Sequence, residues 1–221
     1  MKLSQLKIDP EFQSKIPPLQ FEEEQQLEQN IIAEGRLLNP IITWNGYILD
    51  GHTRYRILKK HGFIKFEVEE IQLANKYEAL AWICKNQLGR RNLSPERKKF
   101  LLGKEYESNK LAVGGQPGNC NKVNRCDQND HIDSEKRTCE RIAVEHGVGS
   151  ATVRRAEKYS RGIDAAEEAV PGAQEEILTG HIKATDEQIV ALASIPKEER
   201  PAILEELKKK KSDRDDTSSN A

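Results

Sequence analysis

Ile48-Leu49-Asp50-Gly51-His52-Thr53-Arg54-Tyr55-Arg56-Ile57-Leu58 is a short apolar run that closes in Asp-Gly and opens at once into a basic segment with apolar residues at helical spacing. It predicts a strand, a tight turn and the start of a helix. Gly51 can bring backbone close to a ligand with no side chain in the way, and the free N–H groups of a first helical turn favour anions. The junction is therefore a candidate cradle for phosphate. An ordinary strand-to-helix connection would read the same way, since no glycine-rich phosphate fingerprint is complete here.

Upstream, Ile41-Ile42-Thr43-Trp44 and Tyr47-Ile48-Leu49 flank Asn45-Gly46, which predicts a hairpin. Before it, Leu27, Ile31 and Ile32 recur at helical spacing from about Phe21 to a stop at Gly35, and residues 1–20, with Pro10, Pro17 and Pro18, read as an extended arm. Downstream, the helix begun at Gly51 should stop at Gly62. A strand is expected over Phe63 to Leu73 and a helix over 76–88. Residues 21–88 thus form an α+β domain, a small mixed sheet with interleaved helices.

Ser94-Pro95 marks a new helix start, because Ser can cap orphan N–H groups and Pro suits the first helical position. It opens a connecting helix within 89–112. Residues 113–133, rich in Gly, Asn, Asp and Gln, read as a polar linker, 134–196 as an all-α domain with breaks at Gly147, Gly162, Pro171-Gly172 and Gly180, and 197–221 as a charged tail. Within the all-α domain, Cys139 to Ala156 has the spacing of a helix-turn-helix. Ala143 is small where two helices cross, Gly147 permits the turn, and Val148 and Val153 fill the wedge. Ser150 would cap the second helix, and Ala151, Thr152, Arg154, Arg155 and Lys158 would face a DNA groove. Glu135 to Arg161 holds seven Lys/Arg against four Asp/Glu, the local sign that phosphate contact needs. A helical hairpin built for protein contact is the rival reading.

Composition limits the partners. The net charge of −1 over 221 residues makes no global case for nucleic acid, and 36% hydrophobic with 5% aromatic residues predicts modest aliphatic cores. No apolar run approaches membrane length and no signal segment is recognisable, so a cytoplasmic protein with reduced thiols is expected. Cys120, Cys126, His131 and Cys139 have ligand chemistry but irregular spacing without a close Cys-x-x-Cys pair, so no metal site is expected.

Taken in order, Glu34-Gly35-Arg36-Leu37-Leu38-Asn39-Pro40, Leu49-Asp50-Gly51-His52-Thr53-Arg54-Tyr55-Arg56, Asn86-Gln87-Leu88-Gly89-Arg90-Arg91-Asn92-Leu93-Ser94-Pro95 and then a helix-turn-helix resemble the ParB-like family of chromosome and plasmid partition proteins. The resemblance runs from about Phe21 to about Pro196. It implies a ParB/sulfiredoxin-type α+β domain followed by a helical DNA-binding domain, with double-stranded DNA as partner, a homodimer, and a nucleoid- or plasmid-associated location. It further implies that the first domain binds CTP with magnesium, Gly51, His52, Thr53 and Arg54 lying beside the phosphates and Asn86, Gln87 and Arg90 near the same pocket.

The departures from the family pattern shape the expectation. Partition proteins carry Gly-Glu-Arg-Arg where this chain has Gly51-His52-Thr53-Arg54, and Glu-Asn where it has Asn86-Gln87. Missing carboxylates argue for nucleotide binding over hydrolysis. The family's C-terminal dimerisation domain finds no counterpart after Pro196, which points to a shorter plasmid, phage or mobile-element relative. Sulfiredoxins place a cysteine in this turn, and His52 stands there instead, against thiol chemistry. The competing functions are an enzyme on the first domain, either a nucleotide hydrolase or a nuclease using Asp50 with His52, and a non-enzymatic adaptor.

Overall fold

The computed structural model describes residues 2–90, 92–113 and 138–217, with side chains as far as 208. It divides into two compact units, Met1–Gln87 and Leu88–Ala221. The linker expected over 113–133, together with Cys120, Cys126, His131 and Arg91, lies outside the described residues except for Val113.

The first unit is built on a three-stranded mixed sheet of order β2-β1-β3, with β1 Ile41–Trp44, β2 Tyr47–Asp50 and β3 Val68–Glu70. β1 and β2 form the expected antiparallel hairpin, Thr43 opposite Ile48 and Trp44 opposite Tyr47, and Asn45 and Gly46 both take the positive φ that a two-residue turn of this hand requires. β3 runs parallel to β1, Ile41 opposite Val68. It is much shorter than the strand expected from Phe63 to Leu73.

Successive strand residues point to opposite faces, so Ile48 and Leu49 seed two cores. Ile48 packs with Ile31 of α2 (Phe21–Glu34) and Tyr55, Ile57 and Leu58 of α3 (His52–Lys60). Leu49 packs with Phe12 of α1 (Pro10–Ser14) and Ala79, Leu80 and Ile83 of α4 (Lys76–Leu88). Residues 1–20 are therefore not a free arm. Asp9 caps α1 by accepting from the Glu11 N–H at 2.8 Å, Phe12 edges onto Trp44, and Leu6 joins the Ile48 core. The correction has a physical cause: two buried side chains anchor a segment whose prolines alone suggested extension. α3 ends at Lys60 with His61 as its cap, one residue before the glycine expected to stop it.

The second unit is all helix: α5 Pro95–Ala112, α6 over 138–145, α7 Ser150–Ala169, α8 Ala173–Leu178, α9 Asp186–Leu192 and α10 Arg200–Thr217. Ser94 caps α5 as expected, its Oγ accepting from the Arg97 N–H at 3.2 Å. α5 is more than a connector, because Leu102 and Tyr106 share one core with Cys139, Ile142, Ala143, Val153 and Ala156. Lys104 of α5 bridges Glu107 and Asp164 at 2.7 and 2.5 Å, tying α5 to α7. Gly162 does not break α7; the helix runs through it unbroken. Within the charged tail expected from 197, where the sequence suggests a frayed helix around Lys208 to Lys211, residues 200–217 form α10, which buries Leu204 and Leu207. No described helix is long and apolar enough to cross a membrane.

Candidate functional site

The junction after β2 has the anticipated shape. Gly51 sits in the left-handed region at φ 97° and precedes α3, whose first turn has no side-chain cap. A Cβ at Gly51 would stand 3.1 Å from Arg54 Nη2, a contact the arginine could relieve by a small shift, so it is the positive φ that favours glycine here. Arg54 reaches back one helical turn: Nη2 donates to Asp50 Oδ2 at 2.5 Å and Nη1 to the Asn39 carbonyl at 3.0 Å. Thr53 is half-buried, and its hydroxyl accepts weakly from Arg56 Nη2 at 3.4 Å.

His52 is the unusual member. It is 6% exposed, neither ring nitrogen has a hydrogen-bond partner, and burial pushes its pKa down to about 4, the Arg56 charge assisting and the Asp50 charge opposing. At neutral pH it is an uncharged imidazole. Since Asp50 is held by Arg54 and His52 bonds to neither of its neighbours, the acid–base pair considered from sequence is not assembled.

Gln87, at the end of α4, is fully buried with both Oε1 and Nε2 unpartnered, whereas Asn86 is exposed. Buried polar atoms nearly always have partners, and leaving one unmade costs about 1–3 kcal/mol. His52 and Gln87 are thus two of the six first-unit residues named from sequence, and both bury hydrogen-bonding atoms that find no partner among the described residues. Arg90 is exposed and belongs to the second unit. Replacing Gln87→Met, close in shape and without hydrogen-bonding atoms, should stabilise the ligand-free protein by about 1–2 kcal/mol. Urea denaturation measures this directly, and a loss of stability would mean that Gln87 serves the fold.

In the second unit, α6 and α7 are joined by residues 146–149, with Gly147 at φ 64° and Val148 and Val153 packed where the sequence placed them. One detail is corrected. Gly149 is the N-cap of α7, its carbonyl accepting from the Thr152 N–H at 2.9 Å, and Ser150 is the first helical residue. Instead of capping, Ser150 offers its carbonyl to the Cys139 thiol at 3.2 Å, which fastens the two helices together. Burial raises the Cys139 pKa, with Arg154 alongside opposing the shift. Ala151, Thr152, Arg154, Arg155 and Lys158 are all exposed, while Val153 and Ala156 face the core.

A feature that sequence spacing could not disclose lies under the turn. His146 Nε2 sits 2.7 Å from Oε2 of Glu105, a buried residue of α5, and Glu145 brings a third ligand-type atom to within 4.8 Å of both. The turn is thereby pinned to α5.

No protein-family model matches the chain, and no curated protein does so either. Among solved structures it is similar to a Pnob8-like ParB-N domain at 16% identity and a TM-score of 0.52, with 97% of this chain and 95% of that one covered. It is also aligned, at 16% identity and a TM-score of 0.39 over 93% and 94% of the two chains, with the C-terminally truncated chromosome-partitioning protein ParB from Caulobacter crescentus, solved in complex with the centromeric parS site. The first likeness carries the structural conclusion, which is that this chain has the fold of a ParB-N domain.

Proposed function

We propose that the protein is a ParB-like DNA-binding protein acting in partition or replicon regulation, whose first unit responds to a nucleotide and whose second grips duplex DNA through α7. The reading is supported above all by the face that α7 presents. Its first turn holds no acidic residue, although the positive end of a helix dipole favours acids there. Instead Ala151, Thr152, Arg154, Arg155 and Lys158 lie exposed at spacings of three and four. Small side chains at the very start of the helix let backbone N–H groups approach phosphate, and the arginines follow one turn later. Arg155 and Lys158 have no hydrogen bond or ion pair among the described residues, so their charges are available to a polyanion.

For the first unit, the support is His52, buried and unpartnered directly after the Gly51 turn, and Gln87 of α4, whose buried amide is likewise unpartnered. CTP is the nucleotide to test first, and a homodimer the assembly that would let two α7 helices read one duplex.

Fluorescence anisotropy of the full chain against labelled duplex DNA tests the α7 assignment. The double variant Arg155→Ala/Lys158→Ala should bind about tenfold more weakly near 0.1 M salt, and its log–log salt slope should flatten by about 2, one counterion per lost phosphate contact. This pair is a cleaner probe than Arg154, which touches the Cys139 thiol. Unchanged affinity and slope would place the DNA surface elsewhere, and absence of any salt-sensitive DNA binding by the wild type would favour the adaptor.

A further inference from the structure

The nucleotide pocket read above has polar groups to receive a ligand, but its carboxylates, the usual anchors of a magnesium ion, are already paired with arginines. Magnesium bound with a nucleotide triphosphate keeps several waters and is usually held to the protein by one or two carboxylates. Two carboxylates are reached from the first turns of α3, and an arginine of that helix holds each. Asp50 Oδ2 lies 2.5 Å from Arg54 Nη2, and Glu24 Oε2 lies 3.0 Å from Arg56 Nη2. The remaining first-unit pocket residues are Gly51, Thr53, Asn86 and Gln87, which carry no charge, and His52, which burial keeps neutral.

We propose that this pocket binds the phosphates of a nucleotide on protein donors alone, with no divalent cation between them, and that Asp50 competes with the phosphates for Arg54. The inference rests on the nucleotide reading of the site. Its donors are the uncapped first turn of α3, a nine-residue helix whose N-terminus carries roughly half a positive charge, and the Arg54 guanidinium. Its second, independent support is His52, more than nine-tenths buried at the first position of that helix with both ring nitrogens unpartnered. A neutral imidazole has one N–H to donate and one lone pair to accept with, and carries no charge to repel a cation or attract one. In the ligand-free state Asp50 occupies Arg54. A phosphate oxygen, also anionic and equally suited to the guanidinium fork, would displace it.

The competition makes Asp50 the diagnostic residue. If it were a metal ligand, Asp50→Asn would abolish nucleotide binding. If it is a competitor, the same change releases Arg54 and removes a repelling charge, and binding tightens.

The experiment is isothermal titration calorimetry of CTP into the full-length wild type and Asp50→Asn, each in EDTA and in magnesium. Wild-type affinity should agree within about threefold between the two buffers, and Asp50→Asn should bind about fivefold tighter in both, as expected for freeing one charged hydrogen-bond partner. Binding seen only with magnesium, or lost in a folded Asp50→Asn, overturns the metal-free site while leaving the nucleotide pocket in place. No heat from the wild type in either buffer overturns the pocket itself. Should Asp50→Asn fail to fold, the wild-type comparison between EDTA and magnesium still decides.

Discussion

Gly103→Ala should cost the second unit up to about 2 kcal/mol net and lower its melting temperature by as much as roughly 10 °C. The residue lies buried in the middle of α5, where a Cβ would overlap the Ala156 carbonyl oxygen of α7, stand 2.5 Å from its carbonyl carbon and lie 2.7 Å from Ser160 Oγ. Ser160 could rotate, but the carbonyl is locked in a helical hydrogen-bond ladder, so the whole of α7 would have to shift. Overpacking of this kind costs about 1–3 kcal/mol or more. Against it stands the better helix propensity of alanine, worth about 1 kcal/mol. The overlap wins because the obstacle is backbone. Gly162→Ala should behave alike, since its Cβ would strike the Ile189 carbonyl of α9 and lie 3.0 Å from Ile189 Cγ2. Gly62→Ala is the control. Nothing lies within 4 Å of a Cβ there and its φ is ordinary, so it should melt at or slightly above the wild type. If all three variants melted together, the close crossing of α5, α7 and α9 would be wrong.

Those two glycines also mark where sequence reading stopped being sufficient. Signals carried by adjacent residues were legible: Asn45-Gly46 as a hairpin turn, Ser94-Pro95 as a helix start, Gly147 as a left-handed turn and Gly51 as the residue before α3. Each depends on local φ or on a hydrogen bond spanning three residues. Gly162 was read as a break because glycine weakens an isolated helix, whereas here it admits a carbonyl from a helix some thirty residues away in sequence. Residues 1–20 and the start of α10 escape sequence reading for the same reason, since Phe12 and Leu204 are buried by packing that no local pattern reveals. At the site, the residue types and the turn were readable, but not that Arg54 is already occupied by Asp50 or that Glu105 waits beneath His146. Pairing across 41 positions leaves no periodicity to detect.

The stability of the first unit should fall by up to about 3 kcal/mol between pH 6.5 and pH 4 on account of His52 alone. The sign follows from which state binds the proton. In the unfolded chain His52 titrates near the ordinary histidine value of 6.5, and in the folded protein burial holds it at about 4. Between those values the unfolded chain takes up a proton that the native state refuses, so stability present above pH 6.5 is lost progressively as the pH falls. The carboxylates whose pKa values are lowered by partners, Asp9 through Lys76 and Glu11 N–H despite burial, and Glu28 through His61 and Lys60, lose their contribution only as the pH falls below their ordinary range near 4. The interval from pH 6.5 to 5 therefore sets those carboxylates aside, and comparison with a His52 variant separates this histidine from the others in the chain. Urea unfolding of wild type and His52→Gln at half-unit steps across that interval should give a steep slope for the first and a nearly flat one for the second. Because the glutamine stays neutral at every pH used, parallel slopes would show that His52 is hydrated and able to charge, and the pocket could then no longer be described as one that presents an uncharged imidazole to its ligand.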